Sequence, residues 1–146
     1  MNENFTRLII KIKLKEGALL PIHYKQGDWY DIFTCEETVL KKGEYKQIPL
    51  GVAMELPKGY EAIVAPRSST FKRFGCLLAN SIGIIDEAYK GNDDYWCFPV
   101  YATRDAVIPK NIRICQFRII EHQPLFDFSI VDRLGENRGG FGSTGM

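Results

Sequence analysis

Apolar and polar residues alternate along most of this chain, and no long stretch repeats every three to four residues. Between residues 8 and 14, Leu8, Ile10, Ile12 and Leu14 fall on one side and Lys11 and Lys13 on the other. A period of two is the signature of a half-buried strand. Gly43 opens a second such stretch at 44–50, and a third follows at 51–56. Pro57 and Gly59 mark a turn before a strand over 60–65. Stretches at 76–80, 95–101 and 112–121 are rich in Val, Ile, Phe and Tyr and are bounded by Gly, Pro, Asn or Asp. Only 68–74 reads as a short helix. Many short strands with regular turn signals place the chain in the all-β class, as a sandwich or barrel, with no internal repeat and no second domain.

The alternation fades after residue 125. This divides the chain into a single β-rich domain, 1–125, and a tail, 126–146. Gly135, Gly139, Gly140, Gly142 and Gly145 crowd the tail. Such a run cannot supply a core strand and is expected to be mobile when isolated. With 146 residues the chain is one domain long and can bury a core without disulfides or metals.

Charge narrows the choice of partner. Lys and Arg total 19 against 18 Asp and Glu, a net charge of +1. Aromatics and lysines would suit a nucleic-acid-binding β-barrel, but the near-zero charge and the lack of a basic stripe weigh against it. An anionic ligand must therefore meet a local cluster. No run approaches the roughly 18 apolar residues of a membrane helix. The first residues lack the apolar core and cleavage site of a signal peptide. A cytoplasmic protein with no membrane partner is expected. Cys35, Cys76, Cys97 and Cys115 form no CxxC pair, so they read as reduced, mostly buried thiols.

Four segments carry candidate chemistry. In Ala65-Pro66-Arg67-Ser68-Ser69-Thr70, Pro66 stops a strand and Ser68 or Ser69 can cap a short helix. Hydroxyls and an Arg at a helix start suit an anion, although a plain cap is the commoner use. In the segment 80–91, Gly83 and Gly91 suggest a hairpin whose backbone admits a ligand closely. Asp86 follows four mostly apolar residues there, and a partly desolvated carboxylate can act as a general base. An Asp near glycines more often closes an Asx-turn. In Arg113-Ile114-Cys115-Gln116-Phe117, Gln116 lies on the face opposite Cys115 and Phe117. In Arg138-Gly139-Gly140-Phe141-Gly142-Ser143-Thr144-Gly145, amides, hydroxyls and an Arg suit phosphates, without the GK[ST] of a P-loop.

In this order and at this spacing, the segments resemble the homotrimeric dUTPase family. That family has five ordered motifs. Gly27-Asp28-Trp29-Tyr30-Asp31-Ile32 is similar to the first, and Pro66-Arg67-Ser68-Ser69 to the second. Gly83-Ile84-Ile85-Asp86-Glu87-Ala88-Tyr89-Lys90-Gly91 fits the third, GxIDxxYxG, the most specific of the five. Arg113-Ile114-Cys115-Gln116 resembles the fourth and Gly140-Phe141-Gly142-Ser143-Thr144-Gly145 the fifth. The resemblance runs from about residue 20 to the end.

The resemblance implies a distorted jelly-roll (the dUTPase-like β-clip) and hydrolysis of dUTP to dUMP and pyrophosphate. It also implies a homotrimer whose sites are shared: motifs one, two and four from one subunit, three from another, five from the third. The tail would then be an arm closing over a neighbour's site, ordered when triphosphate binds. Asp86 would activate the water that attacks the α-phosphorus. Tyr89 would pack under the deoxyribose and exclude UTP. The backbone near Asn80, Gly83 and Ile85 would read the uracil edge, leaving polar groups unpaired against cytosine. Arg67, Ser68, Ser69 and Gln116 would bind the phosphates, bridged by Mg²⁺ with Asp31 in its outer shell through water. Arg138, Gly142, Ser143 and Thr144 would close on the γ-phosphate end. Phe141 would stack on uracil, with Tyr95 as the rival.

Two departures stand out. The family usually has two more residues between the fifth motif's Arg and its Phe; here Arg138 and Phe141 are three apart. Thr70, Phe71 and Lys72 follow the serines where Gly or Leu is common. The shorter spacing resembles dUTPases of some Gram-positive bacteria and their phages. A dCTP deaminase, or a bifunctional deaminase–dUTPase, is the rival on the same fold; it would need a Glu base, a role not given to Glu87. A regulatory module that holds a protein partner is the reading from another class.

Overall fold

The computed structural model describes residues 7–24 and 26–139. The strands in chain order are β1 (Lys11–Leu14), β2 (Ile22–His23), β3 (Tyr30–Phe33), β4 (Thr38–Leu40), β5 (Tyr45–Pro49) and β6 (Val52–Glu55). β7 (Tyr60–Pro66) leads into the one helix, α1 (Thr70–Phe74), and then β8 (Cys76–Leu78) and β9 (Gly83–Ile85). β10 (Cys97–Ala102), β11 (Ala106–Ile108) and β12 (Arg113–Glu121) complete the order. The all-β jelly-roll class with one short helix, expected from the alternation and the resemblance, is the class the chain adopts. No helix among the described residues is long and apolar enough to cross a membrane.

β12 is the centre of the molecule. It pairs antiparallel with β3 on one side and β7 on the other, within a five-stranded sheet of order β2-β3-β12-β7-β9. A three-stranded sheet, β5-β10-β8, and two pairs, β1-β6 and β11-β4, complete the fold. The alternation has its expected consequence in β10. Phe98, Val100 and Ala102 are buried while Pro99 and Tyr101 turn outward. Each large apolar side chain so buried is worth about 1.5–3 kcal/mol. Phe98 packs with Ile32, Ile48, Trp96 and Ile114 in one contiguous core.

Gly51 joins β5 to β6 with φ +70, and a Cβ there would sit 2.7 Å from the Cβ of Ala18. Glycine is therefore required on both conformational and steric grounds. Gly75 ends α1 in the left-handed conformation, φ +64.

The structure corrects four expectations. The strand expected over 8–14 forms only from Lys11; Ile10 and Ile12 pack against the core, but Leu8 is 50% exposed. Among the described residues β1 pairs with β6 alone. β2, β3, β4 and β11 stand beyond the expected strands; β2, β4 and β11, with two or three residues, are too short for alternation to register. No hairpin forms between Gly83 and Gly91: β9 pairs with β7, and turns follow it. The helix begins at Thr70 rather than residue 68. All four cysteines are free; Cys76 and Cys115 are buried, while Cys35 and Cys97 are partly so.

Candidate functional site

Most of the candidate residues gather in two groups, both built on β7. The first lies where β3, β12 and β7 run side by side. Gln116 faces Asp31 of β3 on one side and Ala65 of β7 on the other. The register slips between Arg113 and Cys115, a bulge that re-aims the start of β12. Asp31 is buried, and its Oδ2 lies 3.4 Å from both Arg67 Nε and Arg113 Nη1. Arg67 also donates through Nη1 to the carbonyl of Arg113, at 3.1 Å. Gln116 Nε2 donates to the carbonyl of Pro66 at 2.9 Å. Burial raises the Asp31 carboxyl above its ordinary value, against the opposing pull of Arg67.

Ser69 takes the N-cap position of α1 but makes no side-chain cap bond. Thr70 closes the turn instead. Its hydroxyl accepts from Arg67 N–H at 3.0 Å and donates to the carbonyl of Ile114 at 2.8 Å. This ties the Arg67 loop to β12 and leaves Ser68 exposed. Thr70, which departs from the family pattern, is thus the residue that shapes the loop.

The second group lines a cavity of about 300 Å³ between β7, β8 and the chain from 80 to 99. Asn80, Gly83, Ile85, Asp86, Tyr89 and Tyr95 all border it, with Trp96 buried beside them. Ser81 takes a left-handed backbone, φ +62, in the turn that presents Asn80. Such a conformation costs on the order of 1 kcal/mol in a non-glycine residue. Gly83 lies against Val64 of β7 so closely that a Cβ would be 3.0 Å from the Val64 Cβ.

Asp86 lies one residue beyond β9. Its Oδ1 accepts from Ala88 N–H at 2.8 Å, so the Asx-turn is real. The carboxylate is exposed in the single chain, not partly desolvated as expected, because β9 is the last strand of its sheet. Tyr89 donates from its hydroxyl to the carbonyl of Tyr95 at 3.1 Å. Burial, then Asp94 and Cys97, raise the Tyr89 phenol. The Tyr95 ring has Lys15 Nζ 4.7 Å from its centroid, so a cation already lies over the ring.

Neither group borders the other. None of Asp31, Arg67, Arg113 and Gln116 lines the cavity. Arg138 is exposed in the tail and does not line the cavity. Phe141, Gly142, Ser143 and Thr144 fall outside the described residues. Sequence reasoning gave Arg113 no role of its own, although it opens the segment that supplied Gln116. No cluster of three or more His, Cys, Asp or Glu able to hold a metal occurs among the described residues.

Comparison with known proteins bears on the chain as a whole. The family model described as dUTPase matches residues 15–145. The chain is 56% identical over 138 residues to the SPbeta prophage-derived deoxyuridine 5′-triphosphate nucleotidohydrolase YosS of Bacillus subtilis (strain 168), covering 93% of this chain and 97% of that one. It is 34% identical to the deoxyuridine 5′-triphosphate nucleotidohydrolase of Clostridioides difficile, covering 92% and 95%. Among solved structures, a Staphylococcus bacteriophage 80alpha dUTPase variant with dUpNHpp superposes with a TM-score of 0.76 at 23% identity, covering 94% and 99%. A dUTPase variant from phage phi11 of S. aureus, described for its coordination of a structural Mg(II) ion, gives 0.75 at 19% identity, covering 86% and 98%.

Proposed function

The chain belongs to the dUTPase family, and we propose that it hydrolyses dUTP to dUMP and pyrophosphate in sites shared between copies of itself. The observation that carries the shared-site reading is the separation of the two groups. One offers cations at the sheet end for a triphosphate; the other offers a small cavity rimmed by backbone and a carboxylate for a deoxynucleoside. A single substrate meets both when one copy supplies the first and another the second.

In this reading Arg67, Ser68, Ser69 and Gln116 hold the phosphates. Asp31 keeps Arg67 and Arg113 together, so their charge is fixed before substrate arrives. The backbone near Asn80, Gly83 and Ile85 pairs with the uracil edge, and Tyr89 closes the sugar pocket against a 2′-hydroxyl. Asp86 orients and deprotonates the attacking water. Its exposure in one chain ends when a second copy's phosphate group and the substrate cover it. Tyr95 keeps its place on the cavity rim with Lys15 over its ring, which favours Phe141 as the base-stacking aromatic.

The donor set fits Mg²⁺ carried by the substrate. A magnesium ion held through water needs one or two carboxylates rather than a protein cage. Both arginines engage Oδ2 of Asp31, so Oδ1 is the oxygen that would meet a metal-bound water. The ion would neutralise phosphate charge; positioning rests on the chain.

The tail supports association of copies. Phe128, Ile130 and Leu134 are each at least 88% exposed. A groove of about 430 Å³ is lined mainly by apolar residues, among them Leu8, Ile10, Ile12 and Phe117, with the Asp28–Arg118 ion pair on its wall. Such surfaces on one small chain mark interaction sites. Residues 126–146 then form the arm that closes a neighbour's site.

The deaminase reading is not favoured, since Glu87 is held by a backbone amide of the turn before β7. Pyrophosphate release with dUTP, UTP, dCTP and dTTP in the presence of Mg²⁺ tests the assignment. Turnover of dUTP alone is expected. Ammonia release from dCTP, or equal turnover of UTP, would contradict it.

A further inference from the structure

The turn that carries Asp86 and Tyr89 hangs at the edge of its sheet. β9 ends at Ile85 and pairs only with β7. Beyond it the chain closes on itself: Ala88 N–H donates to Asp86 Oδ1, and Tyr89 N–H to the Asp86 carbonyl at 3.0 Å. Among the described residues, side-chain bonds tie this turn to the rest of the fold at its two ends. At the far end Tyr89 donates to the Tyr95 carbonyl. At the near end Glu87 Oε1 accepts from the N–H of Gly59, at 2.7 Å.

Gly59 is a firm anchor. It sits at φ +88 in the turn that starts β7, and its carbonyl accepts from His122 N–H at 2.9 Å, just past the end of β12. The central β7–β12 ladder runs up to Tyr60 and Glu121, so the anchor directly continues the end of the central strand pair. The His122 ring lies beside the tether, with Nδ1 3.8 Å from Glu87 Oε1 and Nε2 3.9 Å from Glu61 Oε1. β9 has only three residues to fix its direction. The bond from Glu87 ties the chain to the start of β7 two residues beyond the last backbone pair, Ala62 with Ile85.

We infer that Glu87 is a positioning residue: its carboxylate, held by the Gly59 amide, fixes the direction from which Asp86 presents its carboxylate to the attacking water. The inference rests on the reading of Asp86 as the base. The contact lies at a sheet edge, so its loss leaves the core intact. What it changes is alignment, and a displacement of about 1 Å can cost on the order of a hundredfold in rate.

Steady-state hydrolysis of dUTP by Asp86→Asn, Glu87→Ala, Glu87→Gln and Glu87→Asp tests it, together with affinity for an α,β-imido analogue of dUTP. Glu87→Ala is expected to lower kcat about tenfold while KM and analogue affinity stay within about twofold of wild type. Glu87→Gln keeps an oxygen for the Gly59 amide and is expected to restore most of the lost rate. Glu87→Asp keeps the charge but falls a methylene short, and is expected to be slow like Glu87→Ala. Wild-type kcat in Glu87→Ala, a loss confined to KM, or a fast Asp variant beside a slow Gln variant would overturn the inference. If Glu87→Ala melts below the assay temperature, the Gln and Asp variants decide between the same outcomes. Full activity in Asp86→Asn would instead remove the reading beneath it, while an inert Asp86→Asn with an unimpaired Glu87→Ala sinks only the role of Glu87.

Discussion

Asp31 holds two guanidinium groups on one oxygen, 3.4 Å from Arg67 and 3.4 Å from Arg113. Burial works against the ion that makes this contact, and burial is the larger influence on its carboxyl. The folded state therefore keeps the Asp31 proton more tightly than the unfolded chain does. Its contribution to stability is present below the ordinary Asp value and is lost as pH rises through the raised folded value. Thermal melts of wild type and Asp31→Asn should show this. The wild type's Tm relative to the variant is expected to be higher at about pH 4 than at about pH 7. The opposite trend would mean that the arginines outweigh burial. At this scale the sequence was readable where a motif fixed residue type and order: Asp31, Arg67, Gln116, Asp86 and Tyr89 each lie in one of the two groups. It was less readable where a role depends on a partner far along the chain. Arg113 meets Asp31 across 82 positions, and Glu87 meets Gly59 across 28. Neither neighbour can be inferred from local spacing.

The decisive element is the β7–β9 pair. Three residues of β9 set the height of the cavity rim, with Gly83 opposite Val64. A methyl group at Gly83 would push against the Val64 side chain at 3.0 Å. Gly83→Ala is accordingly expected to raise KM for dUTP by roughly threefold to tenfold while the melting temperature moves little, because the edge strand shifts and the core does not. An unchanged KM would show that the rim tolerates the shift. Strand legibility followed length. β7, β10 and β12 alternate over six to nine residues and were found with small errors at their ends. β2, with two residues, and β4, with three, carry no period to read. They are strands because their neighbours pair with them. β1 misled in the other direction: its alternation is real, but part of its apolar face lines an open groove rather than the core.

For the whole molecule, one chain closes its core but does not join its two candidate groups. Its core is closed, yet it exposes apolar residues in the tail and along the groove beside β1, and it keeps the cations near Asp31 apart from the cavity rimmed by Asp86. Which copy would supply which residue is implied only by family resemblance, since no periodicity encodes it. Shared sites have a consequence that sites within one chain cannot reproduce. Arg67→Ala and Asp86→Asn should each be inactive alone. Co-expressed in equal amounts and purified together through separate tags, they form mixed assemblies. A site that takes Arg67 from one copy and Asp86 from another is intact when the first copy is the Asp86→Asn chain and the second the Arg67→Ala chain. Selection for both tags leaves trimers with two copies of one variant and one of the other, each with one intact site in three, so recovery of about a third of wild-type dUTP hydrolysis is predicted, in assemblies sedimenting as trimers. Mixed trimers with no more activity than either variant alone would contradict the account, because both residues would then have to come from the same chain.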